Sequence, residues 1–159
     1  MKTITLADLQ ALDLRAATLP RLRTHFNLHA RPEDPIQRFI VHMRRGSYVR
    51  PHRHAAQKWE CVVVLEGSAD LLLFDDDGVL EQRLRVGAFD DTRIVEIAPE
   101  RWHGYVVLSE TLTLFEVKPG PYDAATDKQF AAWAPPEGDA GVPQLLAWME
   151  RAEAGQRFG

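Results

Sequence analysis

The sequence predicts a mainly β chain, an antiparallel sandwich or barrel preceded by one helix and followed by a loop-and-helix extension. Three observations carry this. Short runs of β-branched and aliphatic residues recur from Ile36 to about Val117. Gly46, Gly67 and Asp77-Gly78 punctuate them as turns. No segment of helical period intervenes, which leaves antiparallel hairpins as the natural connection.

The elements follow in order. Thr5 is a helix N-cap, and Leu6, Leu9, Leu12 and Leu14 keep a roughly helical apolar spacing up to Ala17, where Pro20 ends the helix. Polar and apolar residues alternate through His25-Phe26-Asn27-Leu28-His29, which reads as a short strand or extended arm. Pro32 and Pro35 form a loop. Strands are expected from Ile36 to Met43, Ser47 to His54, Glu60 to Leu65, Ala69 to Phe74, Val79 to Leu84, Ile94 to Ile97, Gly104 to Leu108, and Leu112 to Lys118. Asp75-Asp76-Asp77-Gly78 lacks the other positions of a calcium loop and reads as a hairpin turn. A final helix is expected from Pro143 to Ala152, with Leu145, Leu146, Trp148 and Met149 on one face. The organisation is therefore an N-terminal helix and arm over 1–35, a barrel over 36–118, and an extension over 119–159. That extension packs on the barrel or at the interface of a homodimer, for which Trp133 and Trp148 are apolar anchors.

Composition narrows the function. The chain has 159 residues, 45% of them hydrophobic and 26% charged, enough for one buried core. A net charge of −4 gives no electrostatic pull toward nucleic acid or an anionic membrane surface. The single cysteine, Cys61, excludes an internal disulfide and fits a reducing compartment. No apolar stretch is long enough to cross a bilayer, and the first eight residues carry no basic region followed by an apolar core. A cytoplasmic protein is the expectation.

Two of the six histidines lie in His52-Arg53-His54. Residues two apart in a strand share a face, so both imidazoles project together. Glu60 heads the next strand after a short turn, and His103 opens a later one, so a carboxylate and a third imidazole can close on the same point. Three neutral nitrogens and one anionic oxygen suit one divalent transition metal ion, Zn, Fe, Mn or Ni. Trp59, Cys61 and Trp102 neighbour these residues with opposite parity and are expected to pack away from the metal, Cys61 as a buried small residue.

These residues resemble a known superfamily. Gly46-x5-His52-x-His54-x5-Glu60-x6-Gly67 is similar to the first cupin motif, with a slightly long His-to-Glu gap. Ala98-Pro99-Glu100-Arg101-Trp102-His103 is similar to the second, although Ala98, Glu100 and Val107 stand where Pro, Gly and Asn are usual. Beyond the barrel, Asn27-Leu28-His29, Asp34-Pro35-x-Gln37-Arg38, Tyr48-Val49-Arg50-Pro51-His52-Arg53-His54 and Glu116-Val117-Lys118-x-Gly120-Pro121-Tyr122 resemble the WbuC family of cupin-fold metalloproteins. So does Asp127-Lys128-x-Phe130-Ala131-x-Trp133-Ala134-Pro135. The resemblance implies a cupin-type double-stranded β-helix, or jelly roll. It also implies metal ligands at His52, His54, Glu60 and His103, and a link to bacterial surface-polysaccharide (O-antigen) synthesis.

Four protein ligands leave open positions on an octahedral ion, which supports isomerisation or epimerisation of a hydroxy-carbonyl compound, or O2 chemistry with iron; closed tetrahedral zinc would be structural. By parity Tyr48 and Arg50 share the face of His52 and His54, and Arg38 shares one with Ile40 and His42. Arg50 is either a partner for a substrate carboxylate or phosphate, or a salt-bridged arginine. Glu116 and Lys118 line either the pocket mouth or a solvated strand face. Tyr48, Arg50, Arg38 and Lys118 are thus the candidate substrate-binding residues. His25, Asn27 and His29 read as hydrogen-bonding groups of an arm-to-barrel or dimer contact. The expected ligand is a small molecule, a carbohydrate by resemblance. The expected function is a metal-dependent enzyme or a non-catalytic metal- and ligand-binding or sensing module.

Overall fold

The computed structural model describes residues 1–159. Helix α1, Leu6–Thr18, opens on a capping box: the Thr5 hydroxyl accepts from the Asp8 amide, and the Thr5 amide donates to the Asp8 carboxylate. It buries only Leu12 and Ala16. Asp13 fixes it to the barrel by accepting from Arg44 at 2.7 Å and pairing with His42 at 3.1 Å.

Ten strands follow: β1 Arg23–Asn27, β2 Ile36–Arg44, β3 His52–Arg53, β4 Glu60–Glu66, β5 Ser68–Phe74, β6 Leu80–Gly87, β7 Ile94–Ile97, β8 Trp102–Val107, β9 Thr111–Pro119 and β10 Gln129–Phe130. They form two five-stranded antiparallel sheets in the orders β1-β2-β9-β4-β7 and β10-β3-β8-β5-β6. Helix α2 spans Val142–Met149. No helix is long and apolar enough to cross a membrane.

The sheets bury one face of each against the other. Met43, Val62, Val64, Leu112 and Leu114 of the first sheet meet Ala69, Leu71, Val86, Tyr105 and Val107 of the second. The second sheet is also covered on its back. Leu72, Phe74, Leu80, Trp102 and Val106 pack under Ala131, Ala134, Leu145, Met149 and Ala152. Burial on both faces explains why β5 reads as an unbroken apolar run, Leu71-Leu72-Leu73-Phe74, instead of alternating.

Several boundaries differ from expectation. The strand expected over 47–54 shrinks to His52–Arg53, because Pro51 has no amide hydrogen to donate to a ladder. Ser47 instead bonds the Arg21 carbonyl, and the Tyr48 hydroxyl donates to the Pro135 carbonyl. The arm around His25 is a full edge strand, β1, paired residue for residue with β2. Strand β8 begins at Trp102, two residues before the expected Gly104, which places His103 inside it. The Asp75-to-Gly78 segment is a hairpin turn: the Asp75 side chain accepts from the Asp77 and Val79 amides.

Candidate metal centre

His52, His54, Glu60 and His103 come from three parts of the fold and meet at one point. His52 lies in β3 directly opposite His103 of β8, with ring centroids 4.3 Å apart. His54 follows on the same side, while Arg53 between them turns outward over the Trp102 ring. Glu60 opens β4 in the facing sheet. One donor atom from each of the four lies within 4.8 Å of the others, and all four residues are at most 3% exposed.

The ring orientations are set by backbone carbonyls. Nδ1 of His52 faces the Arg50 carbonyl at 3.0 Å, Nδ1 of His54 that of Asp127 at 2.6 Å, and Nδ1 of His103 that of Arg101 at 2.9 Å. A carbonyl only accepts, so each Nδ1 carries the hydrogen and each Nε2 is turned to the common point. Nε2 of His103 is buried with no hydrogen-bond partner at all. Nε2 of His54 is 2.8 Å from Glu60 Oε2, and Nε2 of His103 is 4.0 Å from Glu60 Oε1. An orphaned buried nitrogen among imidazoles with fixed tautomers, facing a carboxylate, is a donor set that could hold a divalent transition ion.

The electrostatics point the same way. Burial pushes the His52 imidazole well below its ordinary value, with Lys128 and the neighbouring histidines adding to it. Burial lowers His103 too, against the pull of Glu60. Both rings therefore stay neutral and keep a lone pair. Burial by itself would raise Glu60, but the His54 ring against its carboxylate and the nearby His103 hold it well below the usual carboxylate range.

His52 and Glu60 also line a cavity of about 500 Å³. Gln37, Phe39 and Val41 of β2 form one wall, and Leu114, Glu116 and Lys118 of β9 another. Tyr105 reaches it from β8, His25 and Asn27 of β1 and His29 just beyond that strand stand along it, and the tail supplies Tyr122, Asp127, Lys128 and Phe130. The His29 ring is held by the Arg38 backbone, its Nδ1 accepting from the Arg38 amide at 3.1 Å.

Of the candidate substrate-binding residues, Lys118 lines this cavity, and the other three lie elsewhere. Tyr48 is buried in the back cluster. Arg50 donates to the Ala131 carbonyl and sits over the Phe130 ring, 5.4 Å from its centroid. Strand parity does not run back through Pro51, so neither follows His52 into the pocket; Val49 does instead. Arg38 is exposed, because β2 turns its odd-numbered residues inward. Cys61 is half-buried instead of buried.

Glu116 and Lys118 are inward groups, 8% and 3% exposed. Burial and the neighbouring Glu60 push the Glu116 carboxyl up to about 8, against Lys118 and Lys128, so it holds its proton at neutral pH. Burial works to lower Lys118, but Glu116, Asp127 and Glu60 overcome it and raise it; its ammonium donates to Asp127 at 2.9 Å. Tyr105 lies on the face of His103, its buried hydroxyl has no partner, and burial with the Glu60 and Glu116 charges raises it well above its ordinary value. The sequence reading missed Tyr105, Asp127 and Lys128. The signal for Tyr105 was present, since it stands two residues after His103.

Comparison with solved structures shows the fold. A cupin 2 conserved barrel domain protein from Rhodopseudomonas palustris is 19% identical, with a TM-score of 0.52 over 68% of this chain and 66% of that one. The capsular polysaccharide assembling protein CapF from Staphylococcus aureus is 19% identical, TM-score 0.55, over 68% and 31%. The DMSP lyase DddQ from Ruegeria pomeroyi is 20% identical, TM-score 0.54, over 74% and 54%. The chain thus spans two thirds or less of the length of these structures, and the common feature is the cupin fold. No curated protein matches the chain. Residues 4–86, just over half of the chain, match the family model described as a domain of unknown function, and the protein belongs to that family, DUF6016.

Proposed function

We propose that this cupin holds one divalent transition metal ion through His52, His54, Glu60 and His103, and acts on a small oxygen-rich molecule bound in the adjoining cavity. The observation that carries the reading is the convergence of three imidazole Nε2 atoms and one carboxylate where His52 and Glu60 meet the cavity wall. When bound, the ion supplies Lewis-acid polarisation of a substrate oxygen. The chain's own groups complete the site. Tyr105 offers an unengaged hydroxyl to a substrate oxygen, and Glu116 offers a second O–H while protonated. Lys118, fixed by Asp127, contributes fixed positive charge. Donors of this kind favour charge building on a carbonyl oxygen, as in isomerisation or epimerisation of a hydroxy-carbonyl compound.

The substrate class we favour is a sugar or sugar nucleotide of bacterial surface-polysaccharide synthesis. The similarity of the segments around His52, Glu116 and Asp127 to the WbuC family supports this, as does the likeness in fold to the capsular polysaccharide assembling protein CapF. The test is solvent-deuterium exchange, followed by NMR, with metal-loaded protein and a panel of keto-sugars and nucleotide sugars. Deuterium enters beside the carbonyl of the true substrate, and Tyr105→Phe slows this by roughly 100-fold. Stoichiometric metal and saturable ligand binding, with no exchange in any member, would make the protein a non-catalytic binding module.

A further inference from the structure

Four cationic side chains line the cavity: Arg21, Arg23, Lys118 and Lys128. Three of them stand in ion pairs. Arg21 Nε is 2.6 Å from Glu137, Arg23 pairs with the same carboxylate, and Lys118 Nζ is 2.9 Å from Asp127. Lys128 enters none of the ion pairs or hydrogen bonds of the protein, although it is half-buried in the wall. No carboxylate of the cavity is left for it. Glu60 faces the histidines, Asp127 is shared by Lys118 and Lys58, Glu137 by Arg21 and Arg23, and Glu116 faces Lys118 at 4.0 Å.

Its place is set by both neighbours in the chain. The carbonyl of Asp127, just before it, receives the His54 ring, and Phe130, two residues on, pairs with His52. The ammonium is thus carried on the segment that abuts the histidine cluster. A partly desolvated cation without a counter-ion is an unfavourable arrangement that an anionic occupant relieves.

We propose that Lys128 is the anchor for an anionic group, a carboxylate or phosphate, of the molecule that occupies the cavity. The occupant is then an anionic hydroxy- or keto-compound, whose anion pairs with Lys128 and whose remaining oxygens face Tyr105 and the four-residue cluster. This substrate class rests on the functional reading above, whereas the anchor itself needs no metal.

The experiment titrates EDTA-treated and zinc-loaded protein with inorganic phosphate, glycolate and uncharged glycolamide, followed by calorimetry and amide NMR. We expect phosphate or glycolate to bind with shifts centred on residues 105, 118 and 128, and glycolamide to bind roughly tenfold more weakly. Lys128→Gln lowers anion affinity roughly tenfold, Lys128→Arg restores most of it, and the exposed-charge control Arg93→Gln leaves it unchanged. Preference for phosphate over glycolate assigns a phosphorylated ligand, and the reverse assigns a carboxylate. Glycolamide binding as tightly as glycolate, or Lys128→Gln binding anions as the parent does, overturns the anchor. Zinc content judges the histidine cluster separately, and we expect it to be unchanged in Lys128→Gln, so either reading can fail alone.

Discussion

Glu60 and Glu116 line the same cavity, yet one is held ionised and the other protonated. Glu60 has the His54 ring 2.8 Å from its carboxylate and His103 nearby, whereas Glu116 faces the Glu60 charge after losing its own hydration. Two carboxyls pushed apart in this way suit the two roles proposed for them, an anionic ligand and a neutral donor. The split also has a consequence for stability. The Glu116 carboxyl moves from an ordinary 4.5 to about 8 on folding, so the folded chain keeps a proton that the unfolded chain releases. Its contribution is full below pH 4.5 and is lost as pH rises toward about 8. Glutamine mimics the protonated side chain and carries no such loss. In metal-free protein the melting temperature of Glu116→Gln, relative to the parent, therefore rises between pH 5 and pH 8 and levels off above that. A difference independent of pH, measured by circular dichroism, would mean that Glu116 is already ionised.

At the scale of elements, the strands that carry the histidine cluster were legible because a period of two survives burial. His52 and His54 share a side, and Arg53 turns away onto Trp102, as their spacing predicts. The same logic failed one residue earlier. Extending parity through Pro51 placed Tyr48 and Arg50 in the pocket, where the proline had already ended the ladder. Arg38 failed for a different reason. Both faces of β2 carry polar and apolar residues, so its composition does not declare which face is inward, and Gln37, Phe39 and Val41 line the cavity. Glu116 and Lys118 read equally as pocket or solvated face, because burying charge needs partners such as Asp127 that lie outside the strand. The turns were clear. Gly67 carries the chain from β4 in one sheet to β5 in the other at φ +76°, and a Cβ there would meet the Thr111 carbonyl oxygen at 2.0 Å. Gly67→Ala should destabilise the protein by about 2 kcal/mol or more, read as a lowered urea midpoint with an unchanged slope. An unchanged midpoint would show that this crossing is free to relax.

For the whole molecule, the two sheets do different work. One contributes Glu60, Glu116 and Lys118; the other contributes His52, His103 and Tyr105; the cavity lies where their inner faces meet. The tail closes the arrangement twice, packing Leu145 and Met149 on the back of the second sheet and placing Asp127 against His54 and Lys118. That second contact was invisible in sequence, since Asp127 and His54 are 73 positions apart and no local pattern joins them. The central claim is the four-residue metal site, and metal content by mass spectrometry on protein from its native source, beside His52→Ala, tests it most directly. We expect one divalent ion per parent chain and none in His52→Ala, with the variant's β circular dichroism retained; metal kept in the folded variant, or absent from the parent, would contradict the account.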